Sequence, residues 1–198
     1  TNAQLDVVAV GNAIVDIIAA AKDDLIVAEG LTKGGMQLVD APRADALYAK
    51  MGSAHEVSGG SAANTIAGMA ALGRRCGFIG QVADDQFGKV FSHDIRALGV
   101  AFSTPMRGEE PPTAQCLIFV TPDGQRTMNT FLGASQYLPA QALDRSMIEQ
   151  ALQRSQGNVS RTAKLLNLQR TTLIEKLNKY DLRQGTLPVL NSEPDKAA

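Results

Sequence analysis

The chain has 198 residues, enough for one large domain or for a medium domain with an appendage. Hydrophobic residues at 44% and charged residues at 20% exclude a disordered chain, and no apolar run approaches the ~20 residues of a membrane span. The net charge of −1 conceals an asymmetry: Thr1 to Ser146 carries 11 basic against 15 acidic residues, and Met147 to Gln184 carries 7 against 3. A short basic segment behind a long acidic one points to nucleic-acid contact by the short one. With no charged-then-apolar leader, the expected location is cytoplasmic.

In chain order, Leu5 to Gly11 is a short apolar run ending in Gly, which reads as a buried strand. Val15 to Ala21 and Met36 to Val39 are extended segments. Pro42 to Met51 has helical spacing with Pro at its start. Gly59-Gly60 leads into an Ala-rich helix over Ser61 to Leu72. Cys76 to Val82 reads as another buried strand and Asp85 to Leu98 as an amphipathic helix. Ala114 to Val120 and Arg126 to Phe131 flank Pro122-Asp123-Gly124 and form a β-hairpin. This alternation predicts an α/β fold with a mainly parallel sheet and some antiparallel pieces. Cys76 and Cys116, each in an apolar run, read as buried reduced thiols, and no metal-site spacing occurs.

The pattern changes between Leu138 and Met147. From there to Tyr180 the periodicity is purely helical, in three pieces. Gly157-Asn158 ends the first and Asn167-Leu168 turns into the third. The tail over residues 184–198 is expected to be disordered.

Two constellations carry chemistry. In the first, Asn12 and Asp16 follow the first strand, near its carboxyl end, where open α/β sheets place ligands. By position alone they fit a turn cap and an exposed carboxylate equally well. Gly59 and Gly60 let a backbone approach a ligand, the following helix start presents free N–H groups, and Asn64 faces the same place. Such a turn is also a common structural device. It is not a Walker loop, because no Gly-Lys-Ser/Thr follows.

Together, Gly11–Asp16 (G-N-A-I-V-D), Gly59–Asn64 (G-G-S-A-A-N), Gly80–Gly88 (G-Q-V-A-D-D-Q-F-G) and Pro122–Thr127 (P-D-G-Q-R-T) resemble the N-terminal half of the ribokinase-like (PfkB-type) kinases, adenosine-kinase-like members above all. The resemblance covers residues 6–143 and gives a domain over 1–143. It implies that Asp16, Gly59, Gly60 and Asn64 meet the hydroxyls of a nucleoside or sugar, with Asn12 beside them. It also implies a β lid from Val15–Ala21, Met36–Val39 and Ala114–Phe131, with Arg126 near the transferred phosphate. The intact family uses ATP and magnesium. The family's Gly-Ala-Gly-Asp, which holds its catalytic base, occurs nowhere in these residues, nor does its Asn-x-x-Glu pattern. Phosphoryl transfer needs nucleotide, metal and base together. No bound cofactor and no catalysis are therefore expected of the chain as it stands.

In the second constellation, Gly157 to Tyr180 resembles the Fis-type helix-turn-helix of bacterial enhancer-binding activators. The resemblance gives a domain over 147–183. It implies that Gln169, Arg170 and Thr172 face DNA and that Asn158 and Ser160 touch phosphates; by residue type and position, Lys164, Lys176 and Lys179 are expected to hold the backbone. Glu175 stands where the recognition helix of Fis is basic. Read without the resemblance, the segment is a basic helical hairpin on a surface. The expectation is thus a truncated ribokinase-like sheet followed by a small all-α module, with sequence-specific DNA binding as the activity. The alternative is a fragment of an adenosine-kinase-like carbohydrate kinase with an accidental C-terminal fusion. Expected partners are DNA, a nucleoside or sugar, and a second copy of the chain, with no membrane.

Overall fold

The computed structural model describes residues 5–108 and 110–182. The expected tail over 184–198 lies outside them. The chain divides by its contacts into two compact units, one holding residues 5–142 and the other the helical residues from 143 onward. No helix among the described residues is long and apolar enough to cross a membrane.

The first unit contains two sheets. β1 (Val7–Val10), β5 (Cys76–Ile79) and β6 (Val100–Phe102) form a parallel sheet in the order β1-β5-β6. β2 (Ile14–Ala20), β3 (Met36–Leu38), β4 (Ala54–Gly59), β7 (Ala114–Val120) and β8 (Arg126–Phe131) form a mixed sheet in the order β3-β8-β7-β2-β4. The helices are α1 (Asp23–Ala28), α2 (Ala41–Tyr48), α3 (Ser61–Ala71) and α4 (Gln86–Ala97), and a 3-10 turn covers Gly133–Tyr137. The α/β class and the β7–β8 hairpin are as expected. The three segments of the expected lid lie in one sheet. That sheet also takes in β4, which sequence reasoning did not anticipate, any more than it anticipated α1 or β6.

Alternation in β2 explains how this sheet divides its two faces. Val15, Ile17 and Ala19 are buried, and the first two join Leu117, Phe119, Phe91 and Ile95 in the main core. Ile14, Asp16 and Ile18 point the other way. There Ile14 packs with Ala114, Cys116 and Ile118 in a second, smaller cluster. α4 starts sharply because the Asp85 side chain accepts a hydrogen bond from Gly88 N, and Asp40 does the same for Arg43 N at α2. Both cysteines are free and buried.

The second unit begins inside α5 (Ala140–Arg154), which runs unbroken through the composition change, and continues with α6 (Val159–Leu165) and α7 (Arg170–Lys179). Ile148, Ala163, Leu173 and Leu177 form its core. Asn158 caps α6 by accepting from Arg161 N at 3.0 Å. Gln156, Gly157 and Asn167 take positive φ at the two turns. Thr162 and Ser155 join their buried hydroxyls between α5 and α6.

Charge pairs fasten the edges of the first unit. Asp6 accepts from both the side chain and the backbone N–H of Arg75, tying the start of β1 to that of β5. The Arg75 side-chain hydrogen bonds foremost hold the Asp6 carboxyl at about 2. Because that value lies below the unfolded one of about 4, the pair's contribution is complete above about pH 4 and lost as pH falls toward 2. Thermal melts of wild type and Asp6→Asn should therefore differ by a constant amount at neutral pH. The difference should shrink through the acid range and narrow with added salt.

Candidate functional site

β2 leaves β1 through Gly11-Asn12-Ala13 and enters the mixed sheet as an interior strand, paired parallel to β7 and antiparallel to β4. Asp16 is its third residue. Its register partners are Cys116 on β7 and Val57 on β4. Sequence reasoning placed Asp16 near the carboxyl end of the first strand. Only Asn12 is there, because the chain changes sheets between the two residues.

The Asp16 carboxylate makes no hydrogen bond or ion pair with the described residues. Its volume is reserved by Gly59: a Cβ built on that glycine would lie 2.2 Å from Asp16 Cγ. Gly60 follows at φ +95, a conformation that L side chains resist, and its Cβ would sit 2.7 Å from the Asn12 carbonyl oxygen. The two glycines therefore close the chain over Asp16 and Asn12 with backbone alone. Gly60 is also the N-cap of α3, where no side chain supplies a cap, so first-turn N–H groups stay available. Asn64 is exposed one turn on, its N–H bonded to Gly60 O.

The structure thus brings Asn12, Asp16, Gly59 and Gly60 to one end of β2, with Asn64 one helical turn beyond Gly60. Arg126 opens β8, is exposed, and shares the face that carries Asp16. Burial pushes the Asp16 carboxyl above its ordinary value, and the Arg126 charge partly offsets this. The same face holds two neighbours that sequence reasoning did not connect with the site. Cys116 lies level with Asp16, and Thr130 Oγ1 donates to Cys116 Sγ at 3.3 Å. Burial pushes the Cys116 thiol up, with the neighbouring Asp16 charge adding to it. Strand parity would have found both, had the pairing of β2 with β7 been readable. Among the described residues no three His, Cys, Asp or Glu side chains are grouped to hold a metal ion.

In the helical unit, Asn158, Ser160, Gln169, Arg170 and Lys179 are exposed and Thr172 is half-buried. Asn158 spends its side-chain oxygen on capping α6. Lys179 lies over the Tyr180 ring at 5.5 Å. Lys176 differs from the others. It donates to Asp144 on α5, which also accepts from Tyr180 OH at 3.2 Å. A groove of about 210 Å³ lined by Leu152, Gly157, Val159, Ile174, Leu177, Asn178 and Leu182 is mainly apolar and has no charged side chain in its lining.

The reserved volume at Gly59 gives a direct test. Gly59→Ala should destabilise the protein by about 1–3 kcal/mol through overpacking. Most of that loss should disappear in the Asp16→Ala background, where the opposing carboxyl is gone. A double-mutant cycle by denaturant titration reads this coupling.

The pattern of the pfkB family of carbohydrate kinases matches residues 4–195. Among solved structures, an adenosine kinase from Sinorhizobium meliloti is 52% identical, with a TM-score of 0.68, over 74% of this chain and 45% of that one. A probable sugar kinase from Rhizobium etli CFN 42 is 41% identical, with a TM-score of 0.64, over 78% of this chain and 54% of that one. Probable fructokinase-7 of Arabidopsis thaliana is 29% identical over 131 residues, which is 65% of this chain and 35% of that protein. The chain thus spans about half the length of these relatives or less. Its mixed-sheet α/β fold is ribokinase-like, and the chain belongs to the pfkB family of carbohydrate kinases.

Proposed function

We propose that residues 5–142 are the acceptor-binding half of a kinase that acts on a nucleoside or sugar hydroxyl. The observation that carries this is the unpartnered Asp16 carboxylate, lodged where any Gly59 side chain would be. Two carboxylate oxygens can accept from vicinal hydroxyls, and a half-buried setting makes such charge-assisted hydrogen bonds short and selective. Gly60, Asn12 and Asn64 complete the hydroxyl-binding rim, and Arg126 supplies positive charge on the same face. The likeness to an adenosine kinase and to a probable sugar kinase supports an acceptor of this class. In the intact family ATP supplies the phosphoryl group and magnesium neutralises its phosphates. These 198 residues carry no Gly-Ala-Gly-Asp, so the chain as it stands is proposed to bind the acceptor without phosphorylating it.

Calorimetric titration with adenosine and with ribose tests the reading. At least one should bind, and Asp16→Ala should abolish the signal. Binding requires the ionised carboxylate, whose pKa burial has raised. Affinity should therefore fall on acidification from a higher pH than an ordinary Asp would give. A pH-independent affinity, or none for either ligand, sinks the proposal.

A second reading concerns the helical unit. Arg161, Lys164 and Arg170 are exposed around the tight turn at Asn167, an arrangement that suits phosphate contacts. We propose that α7 meets DNA through Gln169, Arg170 and Thr172, with Asn158 and Ser160 on the backbone, Lys179 supporting it, and Lys176 contributing only when released from Asp144. Mobility shifts across a salt series should show affinity falling steeply, and Arg170→Ala should weaken binding. No shift at low salt would remove this reading and leave the first intact.

A further inference from the structure

Asp94 on α4 and Asp85 at its N-cap both reach outside the helix, and each holds one of the strands beside Asp16. Asp85, at the start of α4, accepts from Gly88 N and from Thr113 Oγ1 through one oxygen, and from Thr113 N through the other, all at 2.7 Å. Thr113 is wholly buried and takes a further hydrogen bond from Ala83 N at 2.9 Å. It immediately precedes β7, whose Ala114 is level with Ile14 and whose Cys116 is level with Asp16. Asp94, two turns further along α4, accepts from Ser58 N at 2.7 Å. Ser58 lies on β4, one residue from the register partner of Asp16 and next to Gly59.

β4 is the edge of its sheet, and the Ser58 N–H has no further strand to pair with. Water could satisfy such a group, as it does at most edges. A carboxylate on a neighbouring helix does something different. It fixes the backbone one residue before the Gly59-Gly60 turn to a body packed in the main core through Phe91 and Ile95. The clearance that Asp16 requires at Gly59 therefore has a holder outside the sheet.

We propose that Asp94, with Asp85 at the other end of the same helix, is a positioning residue for the acceptor site, holding the Gly59-Gly60 turn at the separation from Asp16 that a pair of ligand hydroxyls needs. This rests on the reading of Asp16 as the hydroxyl-binding carboxylate. It adds a residue that touches no ligand. Asp94→Asn keeps an oxygen to accept from Ser58 N and loses the charge. Asp94→Ala loses both. Comparing the two separates the hydrogen bond from the electrostatics.

Two measurements on the full chain decide it. The first needs no ligand: the Asp16 carboxyl is titrated by carbon-13 NMR. Asp94→Ala should let the turn move off and hydrate Asp16, bringing its pKa down toward the ordinary value relative to Asp94→Asn. The second is calorimetry with adenosine and ribose. Asp94→Ala should weaken whichever binds by about tenfold or more, and Asp94→Asn should restore most of the loss. If wild type binds neither ligand, the acceptor reading fails while the NMR comparison still reports on the turn. If Asp94→Ala folds and matches Asp94→Asn in both readouts, the proposal is overturned. Should Asp94→Ala not fold, Ser58→Pro removes the donor instead, at an edge position where proline is tolerated. A Ser58→Pro protein that matches wild type in both readouts equally overturns the proposal.

Discussion

Two groups cannot fill one volume, and the end of β2 that carries Asp16 is arranged around that exclusion. The Asp16 carboxylate occupies the space a Gly59 side chain would take. β4 can then run beside β2 only if residue 59 is bare backbone, and the positive φ at Gly60 turns the chain at once into α3. Asn12, the free N–H groups of α3 and Asn64 are delivered to the same point as consequences. A longer side chain at either glycine would move the strand, the helix or the carboxylate, and each of these moves dismantles the same site.

The sequence made parts of this legible for identifiable reasons. β1 and β7 are apolar runs bounded by Gly, Pro or Asp, and β8 follows from the Pro122-Asp123-Gly124 turn that precedes it; such signals are local. α3 and α4 announce themselves by propensity and by spacing. β4 reads A-H-E-V-S-G, too polar and too short for its period to stand out. It is an edge strand, and its pairing depends on β2, some forty residues earlier. β6 has three residues and α1 has six, lengths at which periodicity carries no information. The site was legible as residue types and spacing. The neighbours of Asp16 were not, because Cys116 and Thr130 come level with it only through a register set by a hundred residues of intervening chain.

The helical unit shows the same limit in its electrostatics. A count of lysines and arginines treats every cation in residues 147–184 alike. The fold does not: Asp144, just outside that window, takes Lys176 from the total, and the Tyr180 hydroxyl sits on the same carboxylate. The Lys176 side-chain hydrogen bond foremost pulls the Asp144 carboxyl below its ordinary range, and the partnership raises the Lys176 ammonium in turn. Both remain charged at neutral pH, and the pair serves the packing of α5 on α7. Among the described residues of this window, Arg154, Arg161, Lys164, Arg170 and Lys179 remain exposed without an ion pair.

The neighbours of each strand explain how the surroundings of Asp16 are ordered in a chain that spans only part of its relatives' length. β2 is interior to its sheet, so Asp16 has a strand on either side and its backbone ladder is satisfied within residues 5–142. β1 is in the opposite position. It lies at the edge of a parallel sheet, half-exposed along its length, while β5 beside it is buried throughout. Among the described residues, β1 and β6 each have a strand on one side only. The surroundings of Asp16 draw their order from β2, β4 and β7 and from the carboxylates of Asp85 and Asp94. Asn12 and the start of α3 adjoin the end of β1, where a Gly11 side chain would meet Ala62, so the two sheets meet at this point.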